Sequence, residues 1–117
     1  MAIPVSLLGS AARTSSVTTR VQSVREKYEA LHLVVDVTAG TAFNLDVSIN
    51  GYDPVSTASY TLLAGTINGT GTTVLKVGPQ YTAATNVAKD YMPADWRVVF
   101  TISGGVGATF SAAGSLI

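Results

Sequence analysis

The stretch FNLDVSIN at residues 43–50 decides the fold class. Phe43, Leu45, Val47 and Ile49 share one side of an extended chain, and Asn44, Asp46, Ser48 and Asn50 share the other. Successive side chains of a β-strand project to opposite faces of a sheet. One apolar and one polar face is the pattern of an antiparallel strand buried on one side only. The four apolar residues are therefore expected inside, packed with the in-phase Trp96, Val98 and Phe100 of the later run WRVVFTI at residues 96–102.

The same rhythm extends outward. In LHLVVDV at residues 31–37, Leu31, Leu33, Val35 and Val37 are in phase, and Val34 on the opposite side suggests cover on both faces. Ala39-Gly40-Thr41 lies between this run and FNLDVSIN. A short connection between two alternating runs reads as a β-hairpin. Asp36 and Asp46 would share one of its faces, and two separate wet-face carboxylates are the simpler reading, because closely opposed like charges are unfavourable in a sheet. Further strands are expected at residues 60–63, 72–77 and 108–112. Turn signals separate them: Asn50-Gly51, Asp53-Pro54, residues 65–71 with Asn68-Gly69, Gly78-Pro79, and Gly104-Gly105 with Gly107. The stretch YTAATNVAKDYMP at residues 81–93 is the least strand-like, and Ala83, Ala84, Val87 and Ala88 have the spacing of a short helical turn.

The N-terminal part reads differently. Residues 3–8 are a short apolar segment, and RTSSVTTRVQSV at residues 13–24 is rich in Thr, Ser and Val, which favour extended backbone. Either an edge strand or an extended arm fits. A helix competes, because Val17, Val21, Val24, Tyr28 and Leu31 recur at steps of three and four, but three of the five are poor helix formers. The division expected is an N-terminal arm or edge strand at 1–24 and a β-sandwich domain at 25–117. The fold class is all-β: a single antiparallel β-sandwich, or partly open barrel, with an extended N-terminal arm.

Composition narrows the function. Of 117 residues, 47% are hydrophobic and 12% charged, so one domain with a real core fits and disorder does not. The polar surface must be built from Ser, Thr, Asn and Gly, and depletion of charge is a property of interface centres. The formal net charge is zero, and the cations Arg13, Arg20, Arg25 and Lys27 are mixed with Glu26 and Glu29. That is a poor footprint for phosphate neutralisation, so nucleic acid is not an expected partner. No run approaches the ~20 apolar residues of a membrane span, and no membrane association is expected. The opening MAIPVSLLGSAA lacks the basic start of a signal peptide and is interrupted by Pro4. With no cysteine, disulfides, thiolate metal sites and cysteine nucleophiles are excluded.

Catalytic chemistry is hard to assemble. His32 is the only histidine and sits mid-strand, with Asp36 on its face. A surface or interface histidine is the simpler reading, because catalytic groups are found mostly on loops. Asp36, Asp46, Asp53, Asp90 and Asp95 fall in no EF-hand spacing. Residues 69–73, GTGTT, lack the lysine and following helix of a phosphate-binding loop, and Asn68-Gly69-Thr70 reads as a turn rather than a glycosylated sequon. Tyr52, Tyr60, Tyr81, Tyr91 and Trp96 have the chemistry to stack on sugars, but serve more commonly as core or interface anchors. No catalytic, cofactor or metal residue is assigned, and no enzymatic activity is expected.

Three segments carry a resemblance: ALHLVVDVTAGTAFNLDVSINGYDPVSTASYTLLAG, then TGTTVLKVGP, then ADWRVVFTISGGVGATFSAAGSLI. With NGYDP followed by YTLLAG, the DWRVVF strand and the small-residue end SAAGSLI, residues 31–117 resemble small β-sandwich virion proteins of tailed bacteriophages, of the head decoration or cement type. The resemblance implies a non-enzymatic structural protein at the capsid surface of a virion. Its partners would be the major capsid protein or other virion proteins, and it would be present as a homo-oligomer or as lattice copies. Tail, neck or fibre-base locations are alternatives, as is a carbohydrate-binding module using Tyr52, Tyr60 or Trp96. The N-terminal arm lies outside the resemblance and is expected to serve attachment more than core building. Ile3, Val5, Leu7 and Leu8 would anchor in an apolar groove, and Arg13 and Arg20 would add hydrogen bonds and a salt-sensitive term.

Overall fold

Ten strands form two five-stranded sheets in the computed structural model, which describes residues 3–23, 27–104 and 107–117. They are β1 (Ile3–Arg13), β2 (Val17–Thr18), β3 (Gln22–Ser23), β4 (Leu31–Gly40), β5 (Asn44–Tyr52), β6 (Ser59–Ile67), β7 (Gly71–Val77), β8 (Val87–Ala88), β9 (Asp95–Ser103) and β10 (Ala108–Leu116). Among the described residues there is no helix. Sheet A has the order β1-β10-β4-β7-β8, and sheet B has β2-β9-β5-β6 with β3 also paired to β9. All pairings are antiparallel except β7 with β8. The protein is an all-β sandwich.

The two orders match position by position. Opposite β1, β10, β4 and β7 stand β2, β9, β5 and β6, so each strand faces its neighbour in sequence. The chain crosses between sheets at every such step, which is the jelly-roll arrangement. The Phe100 and Phe110 rings, from β9 and β10, meet across the core at 5.3 Å between centroids.

The period-two residues fill this core. Leu31, Leu33, Val35 and Val37 of β4 are buried against Leu45, Val47 and Ile49 of β5 and Trp96, Val98 and Phe100 of β9. Each large side chain so buried contributes about 1.5–3 kcal/mol before entropy is counted.

The connection between β4 and β5 is not the expected hairpin. The strands lie in different sheets: β4 bonds to β10 and β7, and β5 to β9 and β6. The link is an arch over the end of the core. Ala42 takes a positive φ of 53°, and the Phe43 ring folds under Gly40, where a Cβ would lie 2.7 Å from it. Period-two patterning is the same for a hairpin and an arch, since both leave the apolar sides facing the core. Asp36 and Asp46 therefore sit on opposite outer faces, where Asp36 accepts from Thr72 and Asp46 from Thr66.

Two other expectations change. Asn50-Gly51 is inside β5, and the β5–β6 turn is made at residues 53–58. A Cβ at Gly51 would lie 2.3 Å from the Tyr60 ring, so this glycine is needed for close packing rather than for a turn. The helical turn at 83–88 is replaced by a tight two-residue turn, in which Ala84 and Val87 exchange backbone hydrogen bonds of 3.1 Å. Asn86 supplies the positive φ, 61°, that asparagine tolerates, and Val87–Ala88 joins β7 in parallel.

The N-terminal segment spans both sheets. β1 pairs with β10 as the edge of sheet A, residues 14–16 cross over, and β2 and β3 pair with β9 in sheet B. The described residues 13–23 are extended rather than helical; Val24, the next residue in the helical spacing, lies outside the described residues, as do Arg25, Glu26 and the Gly105 of the expected glycine turn. Thr19 is buried between β2 and β3. Its backbone N–H donates to Val98 O at 2.9 Å, and its hydroxyl accepts the Val98 N–H at 3.0 Å.

Candidate interaction surface

The jelly roll turns one face of each sheet outward, and the two faces differ in chemistry. On sheet A the register aligns the outward side chains in rows across three or four strands. One row reads Pro4, Ser115, His32, Lys76; the next reads Ser6, Ala113, Val34, Val74; and a third reads Ser111, Asp36, Thr72. Small side chains on β10 leave a shallow trough beside β4, lined by His32, Val34, Ala113, Gly114 and Ser115. The face is weakly charged and rich in Ser, Thr, Ala and Val, because a strand that buries Leu31, Leu33 and Val35 must present the residues between them.

Sheet B carries a polar, internally bonded face. Ser48 Oγ donates to Asn50 Oδ1 at 2.6 Å, and Thr66 Oγ1 donates to Asp46 Oδ1 at 2.8 Å. The Arg97 guanidinium lies 5.3 Å from the Tyr52 ring centroid, with Nη2 3.4 Å from Ser59 Oγ. Next to this cluster the 53–58 turn is tied to Asp53, whose carboxylate accepts from the Val55 N–H at 2.9 Å and the Ser56 hydroxyl at 2.8 Å. The Ser56 hydroxyl first, and then the Val55 N–H, hold the Asp53 pKa below its ordinary value.

The residues singled out at the N-terminus are placed as follows. Ile3, Val5, Leu7 and Leu8 lie along β1 and pack in part against this chain's own core. Arg13 folds back: Nη2 donates to Gly9 O at 2.7 Å, Nη1 to Ala11 O and Phe110 O, and the guanidinium sits over the Phe110 ring at 4.6 Å. Gly9 and Ala11 lie at the register slip of β1 against β10 between Leu8 and Ala11, so Arg13 adds hydrogen bonds where the ladder is irregular. Arg20 is exposed, beside a polar groove that it lines with Ser6, Leu7, Val21 and Gln22. The structure therefore separates Arg13 from Arg20, and the apolar β1 residues face inward. What sequence reasoning missed is the sheet A face itself. Its signal was the outward phase of residues 32, 34 and 36, which was read only as a second covered side.

His32 stands in the outward row between Ser115 and Lys76. Asp36 is four residues along the same strand, about 13 Å away at strand rise. It is too far to orient the imidazole as a triad requires. Among the described residues no cluster of three or more His, Asp or Glu could hold a metal ion. Trp96 is fully buried, which removes it from the sugar-stacking set; Tyr60 is 52% exposed, and Tyr52 has Arg97 against its ring. No helix among the described residues is long and apolar enough to cross a membrane. No protein-family model matches this chain, and no curated protein matches it.

Proposed function

We propose that this chain is a non-enzymatic structural protein of a tailed-bacteriophage virion, a decoration protein that adheres to the major capsid lattice. The observation that carries the reading is the low-charge outer face of sheet A, whose rows are mostly Ser, Thr, Ala, Val and Pro with only His32, Asp36 and Lys76 titratable. Such a face suits adhesion: little desolvation of charge opposes burial, and backbone-stiffened strands lose little entropy on docking. Many copies on one lattice raise effective affinity beyond that of a single contact. Support by analogy comes from the jelly-roll order, an architecture used by viral capsid proteins and by lectins. The resemblance of residues 31–117 points to the first of these.

The test is immunogold labelling of purified virions of the phage that encodes the chain. Label spread over the head is expected. Label confined to the tail or neck would move the protein to those structures, and unlabelled virions would overturn the reading. A second reading is a lectin-like module, favoured by Tyr60, which is 52% exposed where its ring packs over Gly51. A selective glycan-array hit abolished by Tyr60→Ala would support it.

A further inference from the structure

We infer that Asn68-Gly69, in the link between β6 and β7, is a site of spontaneous self-modification, where the Asn68 amide is converted to a mixture of isoaspartate and aspartate. The same dipeptide occurs twice in this chain, as Asn50-Gly51 and as Asn68-Gly69, and the fold gives the two copies opposite surroundings. Asn50-Gly51 is inside β5, paired with Arg97 and Trp96 of β9 on one side and with Thr61 and Tyr60 of β6 on the other. Asn50 Oδ1 accepts from the Ser48 hydroxyl at 2.6 Å, and Gly51 is buried against the Tyr60 ring. Residues 68–70 instead cross from sheet B to sheet A outside any strand, and all three are exposed. A Cβ built on Gly69 would meet nothing within 4 Å. Among the described residues no hydrogen bond holds the Asn68 side chain or the Gly69 N–H.

The reaction needs only this loop and water. The Gly69 backbone nitrogen, its proton taken by hydroxide, attacks Cγ of Asn68. A bond forms between that nitrogen and Cγ, the bond from Cγ to the side-chain nitrogen breaks, and ammonia leaves with a proton from water. Water then opens the five-membered succinimide at either carbonyl. One opening leaves aspartate; the other leaves isoaspartate, with the main chain running through Cβ and Cγ. The net change is amide plus water to carboxylate plus ammonium, with nothing oxidised or reduced. The ring closes only where residues 68 and 69 are free to leave their resting backbone angles. Glycine at the attacking position removes the Cβ that would crowd the approach, and its backbone reaches conformations closed to other residues. In β5 the same closure would require the strand to part from both neighbours, and opening a core strand costs close to the whole stability of a fold. The product alters the loop in two ways. A chain of formal net charge zero gains one negative charge, and isoaspartate inserts a methylene into the link between the sheets.

The inference does not rest on the virion reading, since its test uses the isolated full chain. Purified protein is aged in warm, mildly alkaline buffer, native or in guanidinium chloride. It is then digested and mapped by mass spectrometry with fragmentation that distinguishes isoaspartate. In the native chain the amide-to-acid mass change should accumulate at Asn68 at least about a hundredfold faster than at Asn50, with isoaspartate exceeding aspartate. In denaturant, where β5 is open, the two sites should react at similar rates. Gly69→Ala should slow Asn68 about tenfold, and continued protection of Asn50 in that variant shows that its fold is intact. A native chain whose Asn68 reacts no faster than Asn50 would overturn the inference. So would aspartate as the sole product, or a Gly69→Ala chain, Asn50 still protected, that reacts at the original rate.

Discussion

Strand β5 buries Leu45, Val47 and Ile49 between two hydrogen-bonded neighbours, whereas β1 hides Ile3, Val5, Leu7 and Leu8 only in part and has β10 on one side. β5 keeps its alternation almost without fault. β1 slips register twice, and the Arg13 side chain bonds back to Gly9 O and Ala11 O at the second slip. A central strand is specified by its two faces, because a one-residue slip would turn every core residue outward. A marginal strand is specified by what it leans on, so its own sequence can be loose. Stability should accordingly be concentrated at the centre and fall toward the perimeter.

The sharpest contrast is between adjacent positions of β5. Ile49→Asp places a carboxylate in a fully buried site and should abolish folding, a loss of more than about 4 kcal/mol. Ser48→Asp, one residue away on the outer face, should leave the urea midpoint nearly unchanged. Equal effects would mean that the strand has no buried side.

Deleting residues 1–13 probes the margin. From sequence this segment is part of an attachment arm, residues 1–24, whose loss as a whole leaves a folded domain with a cooperative melt. The structure makes it the edge of sheet A, and removing four half-buried large apolar side chains should cost roughly 3–6 kcal/mol. An unchanged denaturation curve would restore the arm to a purely external role.

Thr19 tests the seam between the N-terminal segment and sheet B. Thr19→Val keeps the shape but leaves the Val98 N–H without its hydroxyl acceptor, at an expected cost of about 1–3 kcal/mol. Hydrogen exchange at Val98 should quicken, with β4 and β10 little affected. Protection unchanged at Val98 would show that the hydroxyl does not complete the ladder.

The smallest effect is expected at the exposed 53–58 turn. The Asp53 pKa is depressed in the folded state, so its contribution is complete above the ordinary value of 3.8 and is lost as pH falls through the folded value. The Val55 amide resonance should titrate below pH 3.8, and Asp53→Asn should remove that transition while leaving the core intact. A Val55 titration at or above 3.8 would contradict the hydrogen-bonded turn.

This gradient also governs what could be read without coordinates. FNLDVSIN and the Trp96, Val98 and Phe100 phase located the core, because two-sided burial leaves a periodic trace. The arch at Ala42 left none, since the apolar sides of β4 and β5 face inward whether the strands pair or oppose. Thr85-Asn86 was hidden beneath an alanine spacing that also suits a helix. The sheet A face was legible as outward positions, but its rows exist only once β1, β10, β4 and β7 are set in register.

The measurement that bears most directly on the account is the set of backbone nuclear Overhauser contacts around β4 and β5. The jelly-roll order requires contacts of residues 44–51 with 96–103, and of residues 31–40 with 108–116. It requires none of the regular cross-strand contacts between residues 33–37 and 44–48. A ladder of such contacts joining 33–37 to 44–48 would put β4 and β5 in one sheet as a hairpin and contradict the architecture.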